Sequence, residues 1–530
     1  MDSIFIAFDR TASPGCAAGA LQNGRFLHAR GYGMADLERG TVITGGTVFY
    51  TGSVSKQFTA MSVALLARDG RLSLDDPARK YLPEIGEMGS GITLRHMVHH
   101  TSGLREKWEL LSLAGHRDGD LVTQQDVLDL VQSQRALNFP PGDDHLYNNT
   151  AYDLLATVVA RVSGKSIREF AAERIFGPLG MDRSRYVDDR AGLIPGRASG
   201  YSISGGRISL LNPNVETVGS GSVYSTLEDL ARWDESFYTG ALGGDSLLRL
   251  VQTPGRLNDG TPLTYAFGLM VDEWRGLRRV QHGGALAGFR TQITRFPDQH
   301  FSAIVLCNFA QANPAAYADR IAEVWLGDRL AAEKTPAATA ESPAFDSTLA
   351  ARAAGIYRST RTGSVVRLDR DAEGLAYVSG PVRARLTAGG ANRAMLRAVA
   401  GGTTLQSELI FEAGSNGAVN QFRRTTESLS PRPEIFQRVS PAVTTPSAMK
   451  DLAGAYRNAE LDVTWTVAVQ DSGLVVTMAR GRTARLTPVY RDGFTLEGSN
   501  LRFERDRRGR VSALLLTPGR SRFIRFDRVR

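Results

Sequence analysis

A phrase that occurs twice in the last third of this 530-residue chain limits its fold more than any other feature. "AAGIYRS" (353–359) returns as "LAGAYRN" (452–458), and "EIFQRVS" (434–440) returns as "IRFDRVR" (524–530). Each copy opens with Gly-x-Tyr-Arg and closes with Phe-x-Arg-Val. Matches at both ends, in the same order, imply one duplicated unit, and the period is too long for a solenoid. Between the marks run short alternating segments, among them "SVVRLDRD", "GLAYVSG", "LDVTWTVAVQ" and "GLVVTMARG". Alternation with period two is the pattern of half-buried strands in antiparallel sheets or barrels. Two small all-β domains follow, over 348–441 and 448–530.

The Pro-, Ala- and Thr-rich stretch 334–347, "KTPAATAESPAFDS", reads as a linker. Ahead of it, residues 1–333 mix helical and strand patterns, as an α/β or α+β body does. "VFYTGS" is a strand leading into a helix at 53–69, "QQDVLDLVQSQ" and "YDLLATVVARVSG" are amphipathic helices, and "FSAIVLCNF" is a buried strand. No apolar run approaches the roughly 18 residues of a membrane span. The start "MDSIFIAFDRTASPG" is no signal peptide, which leaves a cytoplasmic protein or the trimmed mature form of an exported bacterial one. The two cysteines, Cys16 and Cys307, are expected as small apolar fillers rather than a disulfide or metal framework. From Lys450 onward 16 Lys/Arg face 9 Asp/Glu, so most of the net charge of +8 sits in the last domain. It is scattered along strands such as "LRFERDRRGRV", the habit of a solvated sheet face rather than of a nucleic-acid surface.

Chemistry concentrates in three places. Val54, Phe58, Met61 and Leu65 fall on one helical face, with Gly70 past its end. Ser53 then stands at the helix start, and Lys56 lies one turn on, on the same side. A Ser hydroxyl attacks only when a base takes its proton, and an amine three residues on is within reach. A helix N-terminus also disfavours a second positive charge and stabilises an oxyanion. Ser-x-x-Lys alone is common, and its bland alternative is a helix cap followed by a solvated lysine. The second place is "FPPGDDHLYNNTAYDLLA" (139–156), a turn followed by Tyr147 and Asn149 at the head of an amphipathic helix. The third is "VQHGGALAGFR" (280–290), where His282 precedes Gly283 and Gly284, residues that admit a ligand close to the backbone.

Taken as a set and in this order, Ser-x-x-Lys, Tyr-x-Asn and His-x-Gly resemble the signatures of the penicillin-recognising serine hydrolases. That family includes class C β-lactamases, DD-carboxypeptidases, esterases and D-aminopeptidases. "GRLSLDDPARKYLPEI", "TLRHMVHHTSGL", "ERIFGPLGM" and "YSTLEDLARW" fit it as well, and the likeness covers roughly residues 10–330. "SVSKQFT", "SGLREKW", "YAFGL" and "HGGALAGFR" are most similar to the D-aminopeptidases, which also carry two β-barrel domains after the catalytic one. The resemblance implies a β-lactamase/transpeptidase-like domain followed by two small antiparallel, lipocalin-like β-barrels. It implies Ser53 as acylated nucleophile, Lys56 as its base and Tyr147 as proton shuttle. It places Asn149 and His282 as substrate contacts, His282 as a polar or cationic anchor, beside Gly283 and Gly284. The N–H groups of Ser53 and Ala285 would form the oxyanion hole. No metal or cofactor is implied. The partner is a small-molecule or short peptide substrate, and the oligomeric state is open, a homodimer included.

The reaction expected is hydrolysis of an amide or ester, foremost by a D-aminopeptidase-like peptidase or amidase. A carboxylesterase comes next, then a DD-carboxypeptidase or β-lactamase, and most remotely a non-catalytic ligand-binding homologue. In the D-aminopeptidases a loop of the last barrel enters the cleft; here "MARGRTARLTPVYRDG" would have to supply it, and its arginines suit an anion better than an amine. Other residues are read more plainly. His96, His99 and His100 belong to a structural helix and turn rather than a metal site, Trp108 either borders the pocket or packs, His116 and His145 are loop residues without a role, and Ser225 with Glu228 forms a capping box.

Overall fold

The computed structural model describes residues 1–332, 347–372, 374–380, 382–390, 392–400, 403–414, 417–426, 430–442 and 445–529. All but the last residue of the linker expected at 334–347 lies outside them. Strands β1 (Cys16–Gln22), β2 (Arg25–Tyr32), β3 (Met270–Trp274), β4 (Leu277–Leu286), β5 (Phe289–Phe296) and β6 (Phe301–Cys307) form one antiparallel sheet in the order β3-β4-β5-β6-β1-β2. Helices cover both of its faces. Ala17, Leu21, Ile293, Ile304 and Leu306 look toward α1 (Ser55–Arg68), α2 (Asn149–Ser163) and α3 (Leu227–Thr239). The alternate residues Cys16, Ala18, Ala20, Val305 and Cys307 look toward α4 (Pro314–Leu326). A strand with a core on each side has no polar face, so all seven residues of β6 are buried.

The same arrangement corrects two expectations. Helix α1 is buried on every side from Ser55 to Leu66, not along one stripe, because Ala60, Val63, Ala64 and Leu66 are enclosed together with Phe58, Met61 and Leu65. Cys16 and Cys307 are not separate fillers. They stand opposite each other on β1 and β6, and their sulfurs form a disulfide. Pairing residues 291 positions apart is a matter of sheet order, which residue spacing does not encode. The helix cap also shifts by one: Thr226 accepts from the Asp229 N–H at 3.0 Å, while Ser225 is buried against Ser184.

After the sheet domain come two closed antiparallel barrels of eight strands each, from Gly355 to Arg438 and from Gly454 to Arg528. The repeated phrase is the closure device. In both copies the first strand pairs with the last, Tyr357 with Arg438 and Tyr456 with Arg528. Each tyrosine donates to a carbonyl four residues back, Ala353 or Leu452, both at 2.7 Å. Each closing arginine reaches the carbonyls of the preceding short helix, Arg352 and Ala354 in one barrel, Asp451 and Ala453 in the other. The glycine that opens each copy makes room: a Cβ on Gly355 would lie 2.2 Å from the Arg438 guanidinium. No described helix is long and apolar enough to cross a membrane.

Candidate active site

Backbone geometry places Ser53. A 3₁₀ turn, Gly52–Val54, joins the short strand Phe49–Tyr50 to α1. This turn presses against the part of β4 past Gln281, where pairing with β3 has ended. A Cβ on Gly52 would lie 2.6 Å from the Ala285 nitrogen, and one on Gly284 would lie 2.0 Å from the Thr51 carbonyl oxygen and 3.0 Å from the Ser53 nitrogen. Glycine at both positions is what lets the Ser53 and Ala285 N–H groups stand side by side. Thr291 on β5 locks the crossing by donating to the Thr51 carbonyl at 2.7 Å.

Lys56 is completely buried. Its Nζ lies 2.7 Å from Asn149 Oδ1, 2.8 Å from the Ser220 carbonyl and 3.0 Å from Ser53 Oγ. The first two partners can only accept, so they take two N–H bonds. The third position faces a hydroxyl that can donate. Burial, opposed by the nearby Asp153 and Glu106 carboxylates, holds the Lys56 pKa well below the usual ammonium range. A neutral amine with its lone pair toward Ser53 Oγ can therefore accept the serine proton.

Tyr147 closes the other side. Its ring lies 4.8 Å from Lys56 Nζ and packs at 4.4 Å from the buried His100 ring. Burial raises the Tyr147 phenol pKa, an effect that the hydrogen-bonding Ser53 hydroxyl partly offsets, so the phenol stays protonated. Asn148 caps α2 by accepting from the Ala151 N–H at 2.8 Å, which fixes the residues on either side of it.

Asn149 and His282 line the cavity but are committed within the protein. Asn149 accepts from Lys56 and donates to Glu106 Oε1 at 3.0 Å, so it spans base and carboxylate. His282 Nδ1 is 2.6 Å from the Gly283 carbonyl, which can only accept, so the proton sits on Nδ1 and Nε2 accepts from the Tyr265 hydroxyl at 3.0 Å. Burial takes the His282 pKa down to about 4. Of the polar or cationic anchor expected at this position, the geometry favours the polar form, a neutral imidazole.

Several participants escaped the sequence reading. Glu106 is fully buried and its Oε2 accepts the Asn149 N–H at 2.8 Å. Lys107 and Asp153 form a fully buried ion pair, and Asp153 Oδ1 accepts from Ser220 N–H at 2.9 Å, steadying the carbonyl that holds Lys56. The available signal was Asp153 itself, the one acidic residue of α2, four residues after Asn149. Arg520, from the second barrel, has no local signal at all. The cavity has a volume of about 1300 Å³ and includes Ser53, Tyr147, Trp108 and Arg520. His116, a loop residue as expected, also lines it. His145 lies edge-on to His100 and tilted against Tyr265, with ring centroids 6.0 and 6.1 Å apart. The other histidines diverge: His96 caps its helix with Thr93, and His99 meets the Tyr265 carbonyl at 3.1 Å.

The second barrel reaches the cleft through Arg520, in the loop 518–523, not through the segment 478–493. That segment instead braces the cavity rim from outside, through Arg480 paired with Asp120 at 3.0 Å.

Comparison with known proteins finds relatives in sequence and in fold. A D-aminopeptidase of Cereibacter sphaeroides is 28% identical over 90% of this chain and 87% of its own length. A D-aminopeptidase of Gluconobacter oxydans is 30% identical over 59% of each. The octameric penicillin-binding protein homologue from Pyrococcus abyssi superposes with a TM-score of 0.55 at 20% identity, over 80% of this chain and 96% of that one; at such identity the likeness concerns the fold. The family described as Beta-lactamase matches residues 1–324. That match takes in every residue of the cavity except Arg520, and with it the chain belongs to the Beta-lactamase family, as a serine hydrolase related to the D-aminopeptidases.

Proposed function

We propose that the protein is a D-aminopeptidase-like peptidase or amidase working through an acyl-enzyme on Ser53. The Ser53 proton passes to neutral Lys56 as Oγ bonds to the substrate carbonyl carbon. The carbonyl oxygen, now negative, is held by the N–H groups of Ser53 and Ala285. The C–N bond then breaks, and Tyr147 hands a proton to the departing amine, regaining one from Lys56. Water repeats the sequence on the ester, giving its proton to the same base and freeing Ser53. Asn149 and Glu106 keep Lys56 in place, and neutral His282, held by Tyr265 behind it, walls the pocket.

The observation that carries this reading is the environment of Lys56 Nζ, with two acceptors and one hydroxyl around a buried amine whose pKa is held down. The D-aminopeptidase relatives support the substrate class. The test is a hydrolysis panel of D- and L-alanine p-nitroanilides, a short-chain p-nitrophenyl ester and nitrocefin. The D-anilide is expected to be the better anilide, with Ser53→Ala slower by about 10³-fold or more. Intact-mass measurement should find the acyl group on Ser53. Activity that survives Ser53→Ala would refute the mechanism, and preference for the L-anilide would refute the substrate class. The disulfide favours the exported of the two expected locations, since such bonds persist in oxidising compartments.

A further inference from the structure

The second barrel inserts one charged side chain into the cavity, and its setting separates a fixed backbone from a free head group. The Arg520 N–H donates to Glu109 Oε1 at 2.5 Å, and the Arg520 carbonyl accepts from Asn138 Nδ2 at 3.0 Å. Ser521 Oγ accepts from the Glu106 N–H at 3.1 Å, and the Arg522 N–H donates to Asn138 Oδ1 at 2.7 Å. The turn is thus tied down on both sides of Arg520. The guanidinium is not. Its side chain is 35% exposed, its centre lies 5.4 Å from the Tyr147 ring, and it forms a loose ion pair with Glu106 Oε2 at 3.8 Å. Glu106 already accepts from the Asn149 N–H and side-chain amide. Among the described residues, the Arg520 guanidinium makes no hydrogen bond of its own.

Five N–H donors in a planar fork, delivered to a cavity by a rigid turn and held there only by a loose ion pair with Glu106, match a planar anion. The acidic residues of the cavity wall do not compete for it: Asp120 is paired with Arg480, and Asp118 is exposed at the rim. The position beside Tyr147 sets which half of the substrate is read. In the proposed reaction Tyr147 protonates the departing amine, so the leaving group passes this spot.

We propose that Arg520 binds a free carboxylate on the leaving-group half of the substrate, which makes short peptides ending one residue past the scissile bond the preferred class. This inference rests on the serine-hydrolase reading above and adds the far end of the substrate to it. It also separates this chain from an aminopeptidase indifferent to the length of what it releases.

The test compares D-alanyl-glycine with D-alanyl-glycinamide on the full-length protein, as a ratio of kcat/KM values. The two differ only in the terminal carboxylate, and the ratio is independent of how much enzyme is active. The wild type is expected to favour the acid by about 10-fold or more, the worth of one charged hydrogen-bonded contact. Arg520→Gln should bring the ratio toward one, and Arg520→Lys should keep part of the preference. Should Arg520→Gln fail to fold, Arg520→Lys and the wild-type ratio still decide. A wild-type ratio near one, a ratio unchanged in the variants, or a wild type that cleaves neither dipeptide would overturn the inference. The short-chain p-nitrophenyl ester, which has no carboxylate, is run in parallel: turnover of the ester with both dipeptides treated alike defeats only the role of Arg520. Failure on the ester as well defeats the hydrolase reading.

Discussion

Two histidines near the cavity are held far from their solution behaviour, and the consequence reaches beyond chemistry. His99 and His282 are buried, and burial takes each down to a pKa of about 4. In the unfolded chain the same groups titrate at roughly 6.5. Between these values the unfolded state binds protons that the folded state refuses, so stability must fall as pH drops from about 6.5 to about 4. Above that window both states are neutral and the contribution is flat. Each group is worth on the order of 3 kcal/mol at the acid end. Urea midpoints measured from pH 7 to pH 4 should decline across this window, and the decline should be shallower in His99→Gln. An acid limb in kcat/KM near 6.5 that disappears in His282→Asn would contradict the neutral imidazole, whose own titration is pushed down to about 4.

Elements show what the sequence made legible and where it stopped. The Ser-x-x-Lys, Tyr-x-Asn and His-x-Gly residues could be read because each lies within a few positions of its own helix start or strand, and the fold brings all three to one cavity. The repeated Gly-x-Tyr-Arg and Phe-x-Arg-Val could be read as barrel ends for a similar reason: closure demands the same residues twice. The disulfide could not, because it depends on β1 lying beside β6, an adjacency set by the whole sheet. Its contribution is testable at this scale. A bond that closes a loop of 291 residues and joins two central strands should stabilise the sheet domain by about 2–5 kcal/mol. Thiol titration of the denatured, unreduced protein should find no free cysteine, and Cys307→Ala should lower the temperature at which activity is lost. Two free thiols in protein purified under oxidising conditions would refute the pairing.

At the scale of the molecule the barrels are not appendages. Leu110 and Leu113, from a helix of the sheet domain, are packed into the hydrophobic cluster of the second barrel. More telling is Asp144, three residues before Tyr147 and nearly enclosed. Its Oδ1 accepts from Arg361 of the first barrel at 2.8 Å and its Oδ2 from Arg522 of the second at 2.9 Å. One carboxylate therefore fastens both barrels to the loop that carries Tyr147. Removing it leaves the buried Arg522 without its carboxylate, which costs about 3–5 kcal/mol in comparable cases. Asp144→Asn is accordingly expected to lower thermal stability. It should also slow anilide hydrolysis more than p-nitrophenyl ester hydrolysis, because only the amine leaving group depends on a proton from a well-placed Tyr147. A merely structural loss would depress both substrates alike. If Asp144→Asn keeps the wild-type anilide-to-ester ratio, the barrels hold the fold without positioning Tyr147. A lowered ratio makes them part of the catalytic apparatus, with Arg520 at the cavity and Asp144 behind it joining all three units around one serine.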